Sequence, residues 1–562
     1  MAAAGGLELP GMAEPQGQER SSHITSSADS STGPPSWALE APPAAGGDMP
    51  RWVYLLGLAI LTAGGAAIRA AWLNHPMRYD ESYGFLEYIW PREISACLIY
   101  SAPNNHVLHT LLVALASRLG GDSPAVLRMP AFLIGVALVP ATGHLAVVAS
   151  GRRVAGWMAA ALAACSTVLV DYSVNARGYG LVCLLTVLMA WQTVRICRNA
   201  QAVGPWVLWT LLAALGLFTI PIMLYPMLVL AVAIVLAALV SPADWAARRL
   251  ALRRVVASLV AAIAMAFILY LPVFRATGLE ATQEDAAARQ SPLFVYGIGL
   301  YALTANPFVA SRSFAEAAAG LPRVGAEAIG DWTRDTSPLA WGLAAIGLVA
   351  ATVAGLRRRR LLYLLPLLLP ALWAGLSLAQ RVVPFARVWL FALPLLMAVA
   401  ACGLVELAGL FRPARLRTAA VIVLLLAVAA ASAQAAWRMV RPGRAVLVEC
   451  CLPDARTIVT DGLAMADGRT SMAWNYEVPD WPPLAYYLAT LSTAERHFMP
   501  YLEADCRRVL VVVPAGQTLA GVLEHRPQLA ENYGPMELWR SYPAAEVYLA
   551  PRKSAPSSAP SR

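Results

Sequence analysis

Runs of about twenty apolar residues recur from Trp52 to Trp437, parted by short turns that carry clustered arginines. At about 1.5 Å per residue, one such run spans the ~30 Å hydrocarbon core of a bilayer. A soluble core cannot hide so many of them. The chain is 58% hydrophobic and only 14% charged, against roughly 25% charged in soluble domains. The fold class that follows is a polytopic α-helical membrane protein with about eleven transmembrane helices.

The net charge of +9 raises the question of nucleic acid, but the placement of the arginines answers it. They sit at Arg152-Arg153, Arg195/Arg198, Arg248 to Arg254, Arg357 to Arg360 and Arg412 to Arg417. These are short turns, where the positive-inside rule gathers them in the cytoplasm. Spans are expected at Trp52–Leu73, Ala125–Ala149, Val154–Val170 and Tyr179–Val194. Two more lie within Trp206–Val240, parted near Pro221 and Pro226, and a seventh at Val255–Phe274. The last four are Leu339–Leu356, Leu361–Ala379, Val388–Leu410 and Ala419–Trp437. This order leaves the amino terminus in the cytoplasm and the carboxyl terminus outside. Arg69, near the outer end of the first span, is expected to snorkel to the interface.

Three other regions differ in character. Residues 1–50 are rich in Ser, Pro, Gly and Ala and read as a disordered cytoplasmic tail. The membrane domain, 51–437, carries a first external loop at 74–123 and a long one at 275–337. Within the first, Tyr83–Trp90 and Val107–Leu119 have the spacing of helices lying on the membrane surface. Residues 438–562 read as a small extracytoplasmic α/β domain. Its strands are expected at Thr457–Thr460, Arg508–Val513 and Glu546–Leu549, and its helices at Pro483–Leu491 and Leu519–His525. It holds no catalytic motif, and a lid or acceptor-side role fits it. Cys450, Cys451 and Cys506 lie there, where an oxidising compartment would permit a disulfide. The remaining cysteines lie in or beside apolar runs, without the spacing of a zinc site.

The acidic pair Asp80-Glu81, just beyond the first span, is the best candidate for chemistry in a chain so poor in acids. It heads a series of motifs on one side of the membrane: Asn104-Asn105-His106-x-Leu108-His109, Arg128-Met129-Pro130, and Tyr172-Ser173-x-Asn175-Ala176-Arg177-x-Tyr179. Together these resemble the GT-C membrane glycosyltransferases. The similarity is to the bacterial branch related to protein O-mannosyltransferases and the lipid A aminoarabinose transferase, over about residues 52–400. Two positions depart from that branch. Asn175 stands where an acid is common, and Asn104-Asn105-His106-Val107 replaces a His-Pro-Pro.

The resemblance implies a polyprenyl-phosphate sugar donor, an inverting transfer and an external active site in the bacterial inner membrane. The residue chemistry is compatible with this. A hydroxyl attacking an anomeric carbon needs a base, and a leaving phosphate needs cations. Asp80 is the expected base. Glu81 either orients the acceptor or pairs with an arginine. Arg177, Arg381 and Arg387 are the expected phosphate ligands, with His106 as a hydrogen-bond partner. Tyr83, Tyr172 and Tyr179 are interface anchors able to contact the sugar. No metal or cofactor is assigned, although His106 and His109 with Asp80 leave a divalent ion open. The acceptor is a lipid, a glycan or a protein. A multispan transporter or flippase of a lipid-linked substrate is the alternative, and it predicts charges buried at mid-bilayer and internal repeats.

Overall fold

The computed structural model describes residues 49–100, 104–241, 244–280, 313–334, 336–358, 360–380, 386–441, 452–474, 481–493, 498, 503 and 505–553. Almost all of the expected amino-terminal tail, together with Arg381, Cys450 and Cys451, lies outside them. The described chain is a helical bundle carrying one small sheet.

Helix α1 (Arg51–Ala70) leads to α2 (Tyr79–Tyr88), α3 (Ile94–Leu98) and α4 (Val107–Gly120). The bundle continues through α5 (Pro124–Ser150), α6 (Arg153–Ala164), α7 (Thr167–Ser173), α8 (Tyr179–Arg198), α9 (Val203–Thr219), α10 (Leu224–Val240) and α11 (Trp245–Glu280). Within 275–337 most of the described residues are helical, in the end of α11 and in α12 (Phe314–Thr333). Then come α13 (Pro338–Arg358), α14 (Leu365–Gln380), α15 (Ala392–Ala408) and α16 (Ala414–Val440). Among the described residues, eight helices are long and apolar enough to cross a membrane, or nine if the bent pair α6–α7 is one span. The shorter apolar helices α9 and α15 occupy the two remaining expected spans. Helices suit lipid because every backbone group is satisfied within the segment. Their packing relies on small residues. A Cβ on Gly403 of α15 would lie 1.8 Å from the Gly347 carbonyl oxygen of α13, so only glycine lets these backbones touch.

The span expected at Val154–Val170 is broken, with α6 and α7 meeting at 66°. Arg69 explains how the break is tolerated. It is fully buried, which corrects the expected snorkelling. Its guanidinium donates to the Ala164 and Ala163 carbonyls at 3.0 and 3.3 Å and to Ser173 Oγ at 3.0 Å. A helix end leaves carbonyls without intrahelical partners and carries partial negative charge. The arginine of α1 supplies both donors and countercharge there, and so it cannot reach the interface. The break turns α7 so that Asp171 pairs with Arg78 at 2.5 Å, beside the start of α2.

The bundle has two chemically distinct ends. At one, Arg198 donates to the Val148 carbonyl and Arg254 to the Ala200 and Gln201 carbonyls. At the other, Arg128 meets Glu81. Val148 and Arg128 both belong to α5 and lie about 30 Å apart along it.

The carboxyl-terminal domain has helices α17 (Ala455–Met465), α18 (Trp481–Leu491), α19 (Leu519–His525) and α20 (Pro527–Asn532). Its strands are β1 (Thr470–Ala473), β2 (Arg508–Pro514), β3 (Glu537–Tyr542) and β4 (Ala545–Pro551), in spatial order β1-β2-β4-β3. The β1–β2 pair is parallel and the other two are antiparallel. The strands expected at Arg508–Val513 and Glu546–Leu549 are present. The one expected at Thr457–Thr460 is instead part of α17. That helix buries Ala455, Ile458, Val459, Gly462 and Leu463, a helical period that outweighs the strand preference of Ile458 and Val459. Among the described residues Cys506 is a buried thiol without a disulfide partner. The domain is fastened to the bundle at the Asp80 end. Met77 N–H donates to Tyr487 Oη at 3.2 Å, and Tyr486 Oη donates to the Asp122 carbonyl.

Candidate active site

Helix α2 begins at Tyr79, so Asp80 and Glu81 stand in its first turn, where the helix dipole favours acids. Adjacent helical residues point about 100° apart, and the two carboxylates meet different surroundings. Glu81 is fully buried against Arg128, which is equally buried. Its oxygens accept from Arg128 Nε at 3.1 Å and from Arg128 Nη2. They also accept from the Arg78 backbone N–H at 2.9 Å and the Ala176 backbone N–H at 3.0 Å. Burial alone would raise the pKa of Glu81. The Arg128 and Arg78 charges and these donors outweigh it and hold Glu81 below the usual carboxylate range. Arg128 also donates to the Leu73, His75 and Pro76 carbonyls at 2.9, 2.6 and 3.0 Å. It thereby fixes the loop that presents α2. In the sequence Arg128 stands within a motif that by itself assigns it no role. The available signal was a lone cation opening an apolar run, which needs a buried countercharge.

Asp80 faces the other way, with its side chain 31% exposed. Its Oδ2 accepts from Arg387 Nη1 at 3.3 Å and lies 3.6 Å from Arg177 Nη1. Asn104, another residue given no role beforehand, donates to the Asp80 carbonyl at 3.4 Å. Asp80, Gly84, Asn104, His106, Thr110 and Arg177 line one narrow cavity.

Arg177 is buried in the turn between α7 and α8. Among the described residues, its Nε and Nη1 are buried without a hydrogen-bond partner. Nη1 keeps the Asp80 carboxylate as a countercharge at 3.6 Å, whereas a buried donor such as Nε without a partner is costly and rare. His106 stands beside it. The Gly178 N–H donates to His106 Nδ1 at 2.8 Å, which assigns the ring proton to Nε2. Gly178 permits this approach, since a Cβ there would lie 2.8 Å from Thr219 and 3.1 Å from His106. The His106 Nε2–H therefore faces Arg177 Nη2 at 3.3 Å, two donors turned toward each other. Burial, then Arg177, His109 and Arg387, keep His106 well below its usual pKa and neutral. Burial and Arg177 push His109 down to about 3. Tyr179 packs edge-on against His106 at 5.0 Å and under the Arg177 guanidinium at 5.7 Å, and Tyr172 packs against Tyr179 at 5.3 Å.

The structure thus brings Asp80, Arg177, Arg387 and His106 together. It puts Tyr172 and Tyr179 behind Arg177, and Tyr83 on the α2 surface. Among the described residues, no three His, Cys, Asp or Glu side chains are grouped to hold a metal ion. The arrangement can bind an anion between Arg177, Arg387 and the His106 N–H, with a carboxylate alongside to accept a proton.

No family model matches the sequence, and no curated protein matches it. Solved structures do match in fold. ArnT from Cupriavidus metallidurans bound to undecaprenyl phosphate is 13% identical, with a TM-score of 0.54 over 89% of this chain and 98% of that one. Its apo state gives the same identity and TM-score, over 89% and 97%. The Archaeoglobus fulgidus oligosaccharyltransferase in complex with Zn and sulfate is 12% identical, with a TM-score of 0.47 over 88% and 72%. The chain has a multispan helical architecture with a small carboxyl-terminal sheet, and its fold is that of ArnT, a GT-C glycosyltransferase.

Proposed function

We propose that the protein is a membrane glycosyltransferase that moves a sugar from a polyprenyl-phosphate donor to an acceptor hydroxyl, with inversion and with Asp80 as base. The observation that carries this reading is the buried Arg177 guanidinium, whose Nε and Nη1 make no hydrogen bond among the described residues and whose Nη1 lies 3.6 Å from the half-exposed Asp80. A phosphate is the anion such a cradle suits. The ArnT structure holding undecaprenyl phosphate shares the fold, which supports a prenyl phosphate as the leaving group.

In the proposed step Asp80 takes the proton of the acceptor hydroxyl as its oxygen bonds to the anomeric carbon. The bond from that carbon to the phosphate oxygen breaks on the opposite face. The polyprenyl phosphate keeps the electron pair, stabilised by Arg177, Arg387 and the His106 N–H. Before the donor arrives, Arg387 and Arg177 lie against Asp80. A donor phosphate competes for the same cations and leaves Asp80 free for the acceptor. Glu81 has no oxygen to spare, so we assign it to positioning α2. The arginine-rich turns support a cytoplasmic assignment for the far end, which makes the Asp80 end external.

The test uses vesicles containing the purified protein and polyprenyl-phosphate sugars labelled in the sugar, with cell-envelope extract as acceptor source. Protein-dependent release of free polyprenyl phosphate, with label moved to a new product, is the expected result. Label that crosses the bilayer still joined to its prenyl phosphate would instead identify a flippase.

A further inference from the structure

The exposed side of α2 carries more than the proposed base. At about 100° per residue, Tyr79, Tyr83, Glu87, Asp80 and Gly84 fall within one arc of about 140°. All five are half-buried or exposed. Glu81, Ser82, Phe85 and Tyr88 fill the opposite side and are buried. The Tyr79 and Tyr83 rings lie nearly parallel, 13° apart in plane with centroids at 6.2 Å. Trp481, the first residue of α18, meets Tyr83 edge-on at 6.3 Å. Helix α18 is held there by the Tyr486 and Tyr487 hydroxyls and by Tyr486 packed against Phe85 at 5.1 Å. The carboxyl-terminal domain thus adds an indole to an aromatic shelf whose other rings stand on the same helical face as Asp80.

We infer that this shelf is the acceptor subsite and that the acceptor is a saccharide. The inference rests on the reading of Asp80 as the base. A sugar ring presents a face of C–H bonds, weakly positive, which suits the negative face of an aromatic ring, while its hydroxyls point outward around the edge. Tyr83 and Trp481 supply rings, and Asp80 and Glu87 supply acceptors on the same arc. A sugar stacked on Tyr83 has hydroxyls within reach of Asp80, about 60° around the same helix. A serine or threonine in a peptide offers no comparable face to stack, so the shelf would be idle with a protein acceptor.

Full-length protein in nanodiscs, without any donor, is titrated with methyl glycosides of hexoses and pentoses and with a serine-containing peptide. Saturation-transfer NMR reads binding. A second arm carries the same sugars on dialkylglycerol in the disc, which separates a glycolipid headgroup from a free glycan. At least one sugar is expected to bind in one of the arms, and the peptide is not. Tyr83→Leu keeps the apolar volume but removes the ring and should weaken sugar binding about tenfold. Tyr83→Phe should retain it, and Trp481→Leu should weaken it in the same direction. Sugar affinity unchanged in both Leu variants, binding of the peptide alone, or no sugar bound in either arm would overturn the inference. Binding is read without transfer, so the result is independent of whether glycosyl transfer itself is found. A shelf-independent transferase, or a sugar-binding protein that transfers nothing, would separate the two claims.

Discussion

Asp80 and Glu81 are neighbours in sequence, yet one is a solvent-facing base candidate and the other a buried strut. The helical offset of about 100° accounts for the divergence, and Arg128 accounts for which acid is buried. The helical spacing read from the sequence begins only at Tyr83, beyond the pair. The early helix start at Tyr79 places both in the first turn without changing the conclusion that they diverge. Asp80, Arg177 and His106 were legible because each stands in a short motif beside a span. The partner of Glu81 was not, because it lies far along the chain inside an apolar run that reads as lipid-facing. The two histidines carry a consequence for pH. Burial and neighbouring cations depress His109 from its ordinary 6.5 to about 3, and they hold His106 well below its ordinary value. Below 6.5 the unfolded chain therefore binds more protons than the folded one, so stability rises with pH. The contribution is complete above the unfolded value and is lost progressively as pH falls from there to the folded values. Each group contributes a slope of at most ~1.4 kcal/mol per pH unit. The thermal midpoint in nanodiscs should drop on acidification from about pH 7 to about pH 5, and His109→Gln should flatten the drop. Equal slopes in the two proteins would contradict the assignment.

Between elements, polar clasps replace the hydrophobic drive that lipid removes. Arg128 ties α5 to α2 and to the loop after α1. Arg69 ties α1 to the broken end of α6 and to α7. Neither was readable as a clasp. An arginine in an apolar run looks like a snorkelling side chain until the neighbouring helix end is known, and the break at Cys165-Ser166 carries no proline or glycine to mark it. Apolar periodicity, by contrast, placed most of the helices within about five residues, although α11 runs from Trp245 to Glu280, well past the expected Val255–Phe274. It failed at Thr457–Thr460, where β-branched residues serve a helix. The clasp between α2 and α5 has a measurable signature. Glu81→Ala leaves Arg128 buried and unpaired and should cost about 3–5 kcal/mol. Adding Arg128→Met should restore part of that loss, so the double variant is less destabilised than the sum of the two singles. Strict additivity in detergent unfolding would show that the two side chains do not act as a pair.

At the scale of the whole molecule, the two ends of the bundle divide the labour. One end gathers arginines on backbone carbonyls. The other gathers Asp80, Arg177 and His106 around a cavity, with Arg387 against Asp80 and the carboxyl-terminal domain docked alongside through α18. The ArnT fold was foreshadowed by short motifs in a shared order, although the sequences are only 13% identical. The identity of a sugar was not legible, since the cavity is read from side chains that would suit any anionic leaving group. The central claim is that Asp80 accepts the proton while the arginines hold the phosphate, and it separates chemistry from binding. The direct measurement compares Asp80→Asn with wild type for affinity toward undecaprenyl phosphate and for the rate of sugar transfer. Affinity should be kept or raised, since Asp80 no longer competes for the arginines, while the rate falls by at least ~100-fold. Transfer at the wild-type rate in Asp80→Asn would contradict the account.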